Sequence, residues 1–354
     1  MKKFKNPFSF QVDYDRKSIF QLASDKEKEE QTFMRPSTSF FGDAVRRFRR
    51  NKIAVVSLFF IVFVLLAIII IPIVYPYSYD QQLGISHGQS VDASYKFLAP
   101  SAYGETEKAR MAAGEFIWPH IFGTDSLGRD YFIRVIYGAR VSLIVGFFAA
   151  FIVLIVGTIY GSISAFSGGK VDMVMMRIVD IIYSLPDMVI IILLSVVLNN
   201  AIDFEGTPLE NVGTSLISIF IVYALLYWVG MARLVRGQVL SIKQTEYVLA
   251  SRSIGTSTPM ILKKHIIPNC LSVIIVSATL QVPSAIFTES FLSFIGLGVS
   301  APMPSLGSLA SDSISSLSTR PYLLLIPALF ICLIVLALNL AGDGLRDAFD
   351  PKQK

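Results

Sequence analysis

Residues 53–75 form an unbroken run without one charged side chain. As an α-helix rising 1.5 Å per residue, such a run is roughly 34 Å long and crosses the hydrocarbon core of a bilayer. Five further apolar runs follow, near residues 141–164, 178–198, 212–232, 271–294 and 322–340. Composition points the same way. The hydrophobic set makes up 53% of the 354 residues and charged residues only 16%, where a soluble domain carries about a quarter charged. The sequence predicts an all-α, polytopic membrane protein with six transmembrane helices.

Residues 1–38 are polar and mixed in charge, with Lys26, Glu27, Lys28, Glu29 and Glu30 at their centre; they read as a tail. Over 39–52, Phe40, Phe41, Ala44, Val45 and Phe48 recur at helical spacing and Arg46, Arg47, Arg49 and Arg50 take the other face. That pattern predicts a basic helix with its apolar face in the headgroup boundary. The first span, 53–76, exits at Pro72, Pro76 and the tyrosines 75, 77 and 79. A polar stretch, 77–138, separates it from a five-helix core over 139–342, and 343–354 is a short charged tail. Of the 31 Lys and Arg, 24 fall on the side of the amino terminus when six spans are drawn. The positive-inside bias places both termini in the cytoplasm of a cell-membrane protein and makes 77–138 an extracellular loop.

Several classes drop out. The first long apolar run begins only near Ile53, behind a polar tail, which argues against a cleavable signal peptide. Cys270 and Cys332 sit in apolar runs and read as small hydrophobes. His87, His120 and His265 are isolated, so no metal site is expected. Basic and aromatic residues do not alternate as a nucleic-acid-binding surface would require.

The polar segment 233–269 is longer than a loop between spans needs. Residues 246–254 read as a short helix that Gly255 ends in a left-handed cap. Thr258 followed by Pro259 starts a second helix, which Pro268 closes before the fifth span. Ala250, Ser251, Ser253 and Gly255 are small, so a partner surface can come close to the first helix. From composition alone an ordinary interfacial hairpin explains the segment equally well.

Glu246-Tyr-Val-Leu-Ala-Ser-Arg-Ser-Ile-Gly255, continuing through Lys264-His-Ile-Ile-Pro-Asn269, resembles the EAA loop of ABC-importer permeases, most of all the C-type subunit of oligopeptide and dipeptide importers. Arg46-Arg-Phe-Arg-Arg-Asn-Lys52, Phe122-Gly-Thr-Asp-Ser-Leu-Gly-Arg-Asp130, Tyr137-Gly-Ala-Arg-Val-Ser-Leu143, Glu289-Ser-Phe-Leu-Ser-Phe-Ile-Gly-Leu-Gly298 and Gly342-Asp-Gly-Leu-Arg-Asp-Ala-Phe-Asp-Pro351 are similar to further motifs of that subfamily, in the same order. Two departures stand out: Leu249-Ala250-Ser251 replaces the Glu-Ala-Ala triplet, and Leu306 stands at a frequent Trp. The resemblance implies a type I ABC-importer permease fold and import of oligopeptides or dipeptides. It makes 233–269 a coupling loop, with Glu246, Ala250, Ser251, Gly255 and Pro268 meeting a cytoplasmic ATPase. It implies a homologous sister permease, two ATPase subunits and an extracellular peptide-binding lipoprotein as partners. ATP and Mg would be bound by the ATPases, because the sequence holds no Gly-x-x-x-x-Gly-Lys-[Ser/Thr] and this chain is expected to be non-catalytic.

Two readings compete with this one. An autonomous secondary transporter places ionisable groups near the membrane midplane, and Asp180, Asp187 and Glu289 are candidates. Asp187, which follows the helix-breaking Pro186, and Glu289 are also the candidates for lining a peptide pathway, against a structural role in hydrogen bonding between spans. Such a carrier has no need of 233–269. The other is ABC import of a different small cargo, such as nickel. An intramembrane protease is disfavoured, since no Ser/His pair or recognisable aspartate motif occurs.

Overall fold

A computed structural model describes residues 40–84, 93–201, 214–299 and 303–349. The tail 1–38, the start of the fourth apolar run at Val212, and Pro351 fall outside them. Contacts divide the chain after Asp43, and the unit from Ala44 onward holds the membrane-spanning helices. Among the described residues there are helices and isolated β-bridges only.

Helix α1, Phe40–Arg50, leads through the cap Asn51 into α2, Lys52–Val74. After a loop carrying α3, Glu105–Ala112, the second run is α4, Tyr131–Ile152, a π-turn over Val153–Gly157, and α5, Thr158–Ser167. Helices α6, Gly169–Tyr183, and α7, Asp187–Ala201, follow. The next run comprises α8, Thr214–Leu226, and α9, Trp228–Ile242. Helix α10, Glu246–Ser253, precedes α11, Thr258–Ile261, a π-turn over Leu262–Ile266 and α12, Ile267–Phe294. Last come α13, Leu306–Asp312, and α14, Tyr322–Phe349.

Five of these runs are long and apolar enough to cross a membrane: Lys52–Val74, Tyr131–Ser167, Leu216–Ile242, Thr258–Phe294 and Tyr322–Phe349. The sixth crossing is a bent pair. Gly169–Tyr183 and Met188–Leu198 meet at 86°, so six spans are reached by counting them as one. Pro186 explains the break: it lacks the N–H of a helical residue and turns Leu185 away from helical angles.

Helix ends differ from the apolar runs. The second run starts at Tyr131 and the fifth at Thr258, each well before its apolar stretch. Hydropathy marks where lipid begins, whereas a helix continues as long as its backbone bonds are met. The polar segment 233–269 is therefore mostly helix extension, with 243–257 as the true connection. Pro268 does not close a helix as expected from sequence. The chain runs helically through it, because the wide turn at Leu262–Ile266 absorbs the missing donor and the ring's bulk.

Close backbone approach sets the packing. Gly157 and Gly161 lie one turn apart where the second run crosses α9. A Cβ on Gly161 would stand 2.4 Å from the Ala232 carbonyl oxygen, and one on Gly157 would stand 2.6 Å from Met231 Cβ. Gly344 admits Ala54 in the same way, 2.2 Å from where its Cβ would be, and this draws α14 against α2. Small residues at such crossings are how helices associate in lipid. The basic helix α1 corrects the sequence reading in one respect. Ala44 and Phe48 pack with Val276, Leu280 and Ala348 from α12 and α14, so part of its apolar face belongs to the protein.

The loop after α2 is tied by buried charge. His120 is 0% exposed. Its Nδ1 lies 2.7 Å from Asp130 Oδ2, and its Nε2 lies 3.2 Å from Glu107 Oε1. Asp130 also caps α4, accepting from the Ile133 N–H at 3.0 Å, and Tyr75 Oη at the end of α2 donates to it at 3.1 Å. One carboxylate thus joins two spans and the loop between them. Burial disfavours the imidazolium, but hydrogen bonds to Asp130 and Glu107 and their charges outweigh it and hold the His120 pKa up at about 9. Burial also works against the Glu107 carboxylate. The His120 bond and the Gly104 N–H outweigh it and leave Glu107 below its ordinary 4.5.

The His120 contribution is complete below an ordinary imidazole pKa of 6.5 and is lost as pH climbs to about 9. The Glu107 contribution is complete above 4.5 and lost as pH falls further. Amide exchange over residues 104–130, corrected for intrinsic rates, should be slowest between about pH 4.5 and 6.5. It should quicken toward pH 9, and His120→Gln should abolish that alkaline rise.

Candidate functional site

At membrane depth, α12 turns two faces in opposite directions. Val282, Ile286 and Glu289 are buried in the protein. Ser277, Gln281 and Ser284, spaced i, i+4 and i+7, line a cavity of about 350 Å³ together with Tyr183, Tyr227, Gly230 and Leu234. Thr288, one turn further on, accepts the Tyr227 hydroxyl at 2.8 Å. The polar groups on this wall are amides, hydroxyls and phenols. Sequence reasoning looked for charge and missed them; the legible signal was the hydroxyl–amide stripe at helical spacing.

The charged candidates sit elsewhere. Glu289 is 0% exposed. Ser142 Oγ donates to its Oε2 at 2.7 Å and Ser293 Oγ to its Oε1 at 2.7 Å. Ser293 Oγ in turn accepts from the Val299 N–H at 3.1 Å. In this conformation Glu289 ties α4 to α12 through Ser142 and is absent from the lining of the cavity beside Gln281. Asp180 pairs with Arg233 at 2.6 Å, and the Arg233 guanidinium stacks over Tyr183, 4.0 Å from its ring centre. Asp172 takes a bidentate bond from Arg236, at 2.7 and 2.6 Å, and a third from Ser164. These pairs hold α6 against α9. Asp187 opens α7; its side chain lies outside the described part of the structure.

The second feature is the connection 243–257. Helix α10 ends at Gly255, whose φ is +84°. Gly255 N donates to Arg252 O and Thr256 N to Ser251 O, closing the last turn. That left-handed cap is where glycine costs least. Val248 is buried with Val239, Ile261 and Ile266, so the helix is anchored by one face. Lys243 Nζ donates to the Ala165 and Phe166 carbonyls at the end of α5, and Arg252 stacks on Phe166. Glu246, Ala250, Gly255 and Pro268 are exposed, whereas Ser251 is buried. Tyr247, Leu249 and Ile254 are 45%, 49% and 83% exposed, large apolar groups that the emphasis on small residues overlooked.

A family model described as the binding-protein-dependent transport system inner membrane component matches residues 157–354, and one for the N-terminal TM domain of oligopeptide transport permease C matches residues 39–100. The oligopeptide transport system permease protein OppC of Bacillus subtilis is 41% identical over 338 residues, covering 95% of this chain and 97% of that one. The chain belongs to this family of transport permeases. The dipeptide transport system permease protein DppC of Bacillus subtilis is 42% identical over 94% of this chain and 92% of its own. OppC of Escherichia coli is 42% identical over 89% and 92%. Among solved structures, an inward-facing MetNI methionine ABC transporter is similar with a TM-score of 0.49 and 19% identity, over 61% of this chain and 96% of that one.

Within this permease, two of the family-like motifs meet at Glu289, since Ser142 belongs to one and Glu289 and Ser293 to the other. Glu289→Leu strands both hydroxyls in the protein interior and should cost about 1–3 kcal/mol for each. Glu289→Gln keeps an acceptor and should be milder. Thermal unfolding in detergent checks the order. Transport lost in Glu289→Gln at unchanged melting temperature would instead put the carboxylate in contact with cargo.

Proposed function

We propose that this chain is one permease subunit of an ATP-driven importer that moves oligopeptides or dipeptides across the cell membrane. The carrying observation is α10: a short helix anchored by Val248, stapled to the end of α5, and presenting Leu249, Ala250 and Ile254 outward. In a permease, such an element passes the motion of a partner to the spans. Glu246, Ala250 and Gly255 are exposed there and Ser251 is buried beneath; Pro268, also exposed, opens α12. The partner is an ATPase subunit that binds ATP and Mg, and this chain is non-catalytic; its sequence holds no phosphate-cradling Gly-Lys-[Ser/Thr] loop.

The cavity wall suits peptide cargo. Gln281, Ser277, Ser284 and Tyr227 offer donors and acceptors that fit backbone amides, which all peptides share. The relatives carry oligopeptide and dipeptide transport in their names, and the same cargo class is proposed here. Helices α6 and α7 leave Val174, Ile178, Ile181 and Leu193 exposed, a surface for the sister permease to cover. The lysine and arginine bias supports a cytoplasmic location for both termini and for α10, with the peptide-binding lipoprotein meeting the opposite side.

Gly255→Val tests the coupling role. No atom lies within 4 Å of a Cβ built there, so the variant meets no clash inside this chain. It forces a β-branched residue into a left-handed cap, at roughly 1–2 kcal/mol. Membrane insertion should be normal, the ATPase subunit should co-purify less well, and ATP-driven peptide uptake should fall to background. Gly255→Asn, which tolerates this conformation, should retain uptake. Normal uptake by Gly255→Val with its ATPases bound would remove α10 from the coupling path.

A further inference from the structure

The loop after the first span carries an exposed apolar tip. Phe116 is 81% exposed, Trp118 42%, Met111 40% and Ile121 38%. These residues are not on a slack strand. Trp118 O accepts the Tyr77 hydroxyl at 2.8 Å, and Pro119 O shares the Tyr75 hydroxyl proton with Asp130, each at 3.1 Å. The Trp118 ring lies edge-on to Tyr75, with centroids 6.1 Å apart, and Phe116 lies edge-on to Trp118 at 6.0 Å. The tip is thus pinned to the residue that ends α2.

We propose that the Phe116–Trp118 tip is a membrane anchor, seated in the headgroup–acyl boundary of the leaflet where the first span emerges. Continuity with the lipid-facing side of that span argues for lipid as the occupant. Ile73 and Val74 are 79% and 63% exposed, and Trp118 packs against Tyr75, the next residue, so the tip sits beside the exposed apolar end of α2. The chemistry fits as well. Trp and Tyr favour the interface, where an apolar ring and a polar edge are both satisfied. The nearest flanking charges cancel, since Arg110 pairs with Glu115 at 2.6 Å. The anchor would fix the loop's height above the membrane, and through Tyr75 and Asp130 the entry of α4. Under the proposed topology this is the outer leaflet; the inference does not depend on the cargo.

The chain has two tryptophans, Trp118 and Trp228, so Trp228→Phe leaves Trp118 as the sole reporter. The full-length protein is reconstituted in phosphatidylcholine–phosphatidylglycerol vesicles with lipids brominated near the headgroup. Trp118 emission should fall by half or more and resist aqueous iodide. As a second measurement, an NBD label on Phe116→Cys, with Cys270→Ala and Cys332→Ser, should emit further to the blue than one on Lys108→Cys, an exposed position of α3. Iodide quenching without bromolipid quenching would overturn the proposal. So would a tip that leaves water only when the purified peptide-binding protein is added, which would make it a protein-docking surface.

Discussion

Lipid tails are as apolar as leucine, so burying apolar surface does not drive membrane helices together; close packing and buried hydrogen bonds must. The rest of this structure depends on that constraint. Glycine contacts at Gly161 and Gly344 bring backbones within reach, and the Glu289–Ser142 bond holds α4 to α12 in the interior. The same constraint explains why the chain breaks where it does. A backbone opened at Ser184–Leu185–Pro186 is tolerated only where protein or water takes up its free groups. Here α6 is held to α9 by Asp172–Arg236 and Asp180–Arg233, and Tyr183 at the break lines the cavity.

This division of labour accounts for where function sits. Asp172, Asp180 and Glu289 are each engaged in ties between helices, while the α12 side chains at the cavity are uncharged hydrogen-bonding groups. The cavity and α10 are joined through rigid parts: α9 runs from Gly230 at the cavity to Ile242, and Val239 on it packs with Val248 of α10. One helix thus connects α10 with the wall of the cavity, the path along which the proposed coupling would act. At the other end of the spans Asp130 plays the corresponding structural part, holding α2, the loop and α4 together.

Much of the fold was legible because hydropathy reports directly on lipid. The uncharged run 53–75 is α2 nearly residue for residue, and Gly255 takes the left-handed cap that its place after a short helix suggested. Helix ends were not legible, since polar turns at Tyr131 and Thr258 stay helical beyond the apolar runs. Pro268 misled because the π-turn that accommodates it has no sequence mark. Glu289 stood out in the sequence as a carboxylate in a span, but its partner Ser142 lies 147 residues away, and no local pattern reveals that the carboxylate meets hydroxyls there. The Ser277–Gln281–Ser284 stripe was visible in principle, yet uncharged polar residues in a span are easily taken for packing.

Helix α10 is proposed to face an ATP-binding partner. Site-specific photocross-linking tests it most directly. A benzophenone side chain is placed at Ser253, which is exposed on α10, and at Lys108, exposed on α3. Under light in native membranes, Ser253 should capture an ATPase subunit and Lys108 should not. Capture of that subunit from Lys108, or of lipid alone from Ser253, would contradict the account.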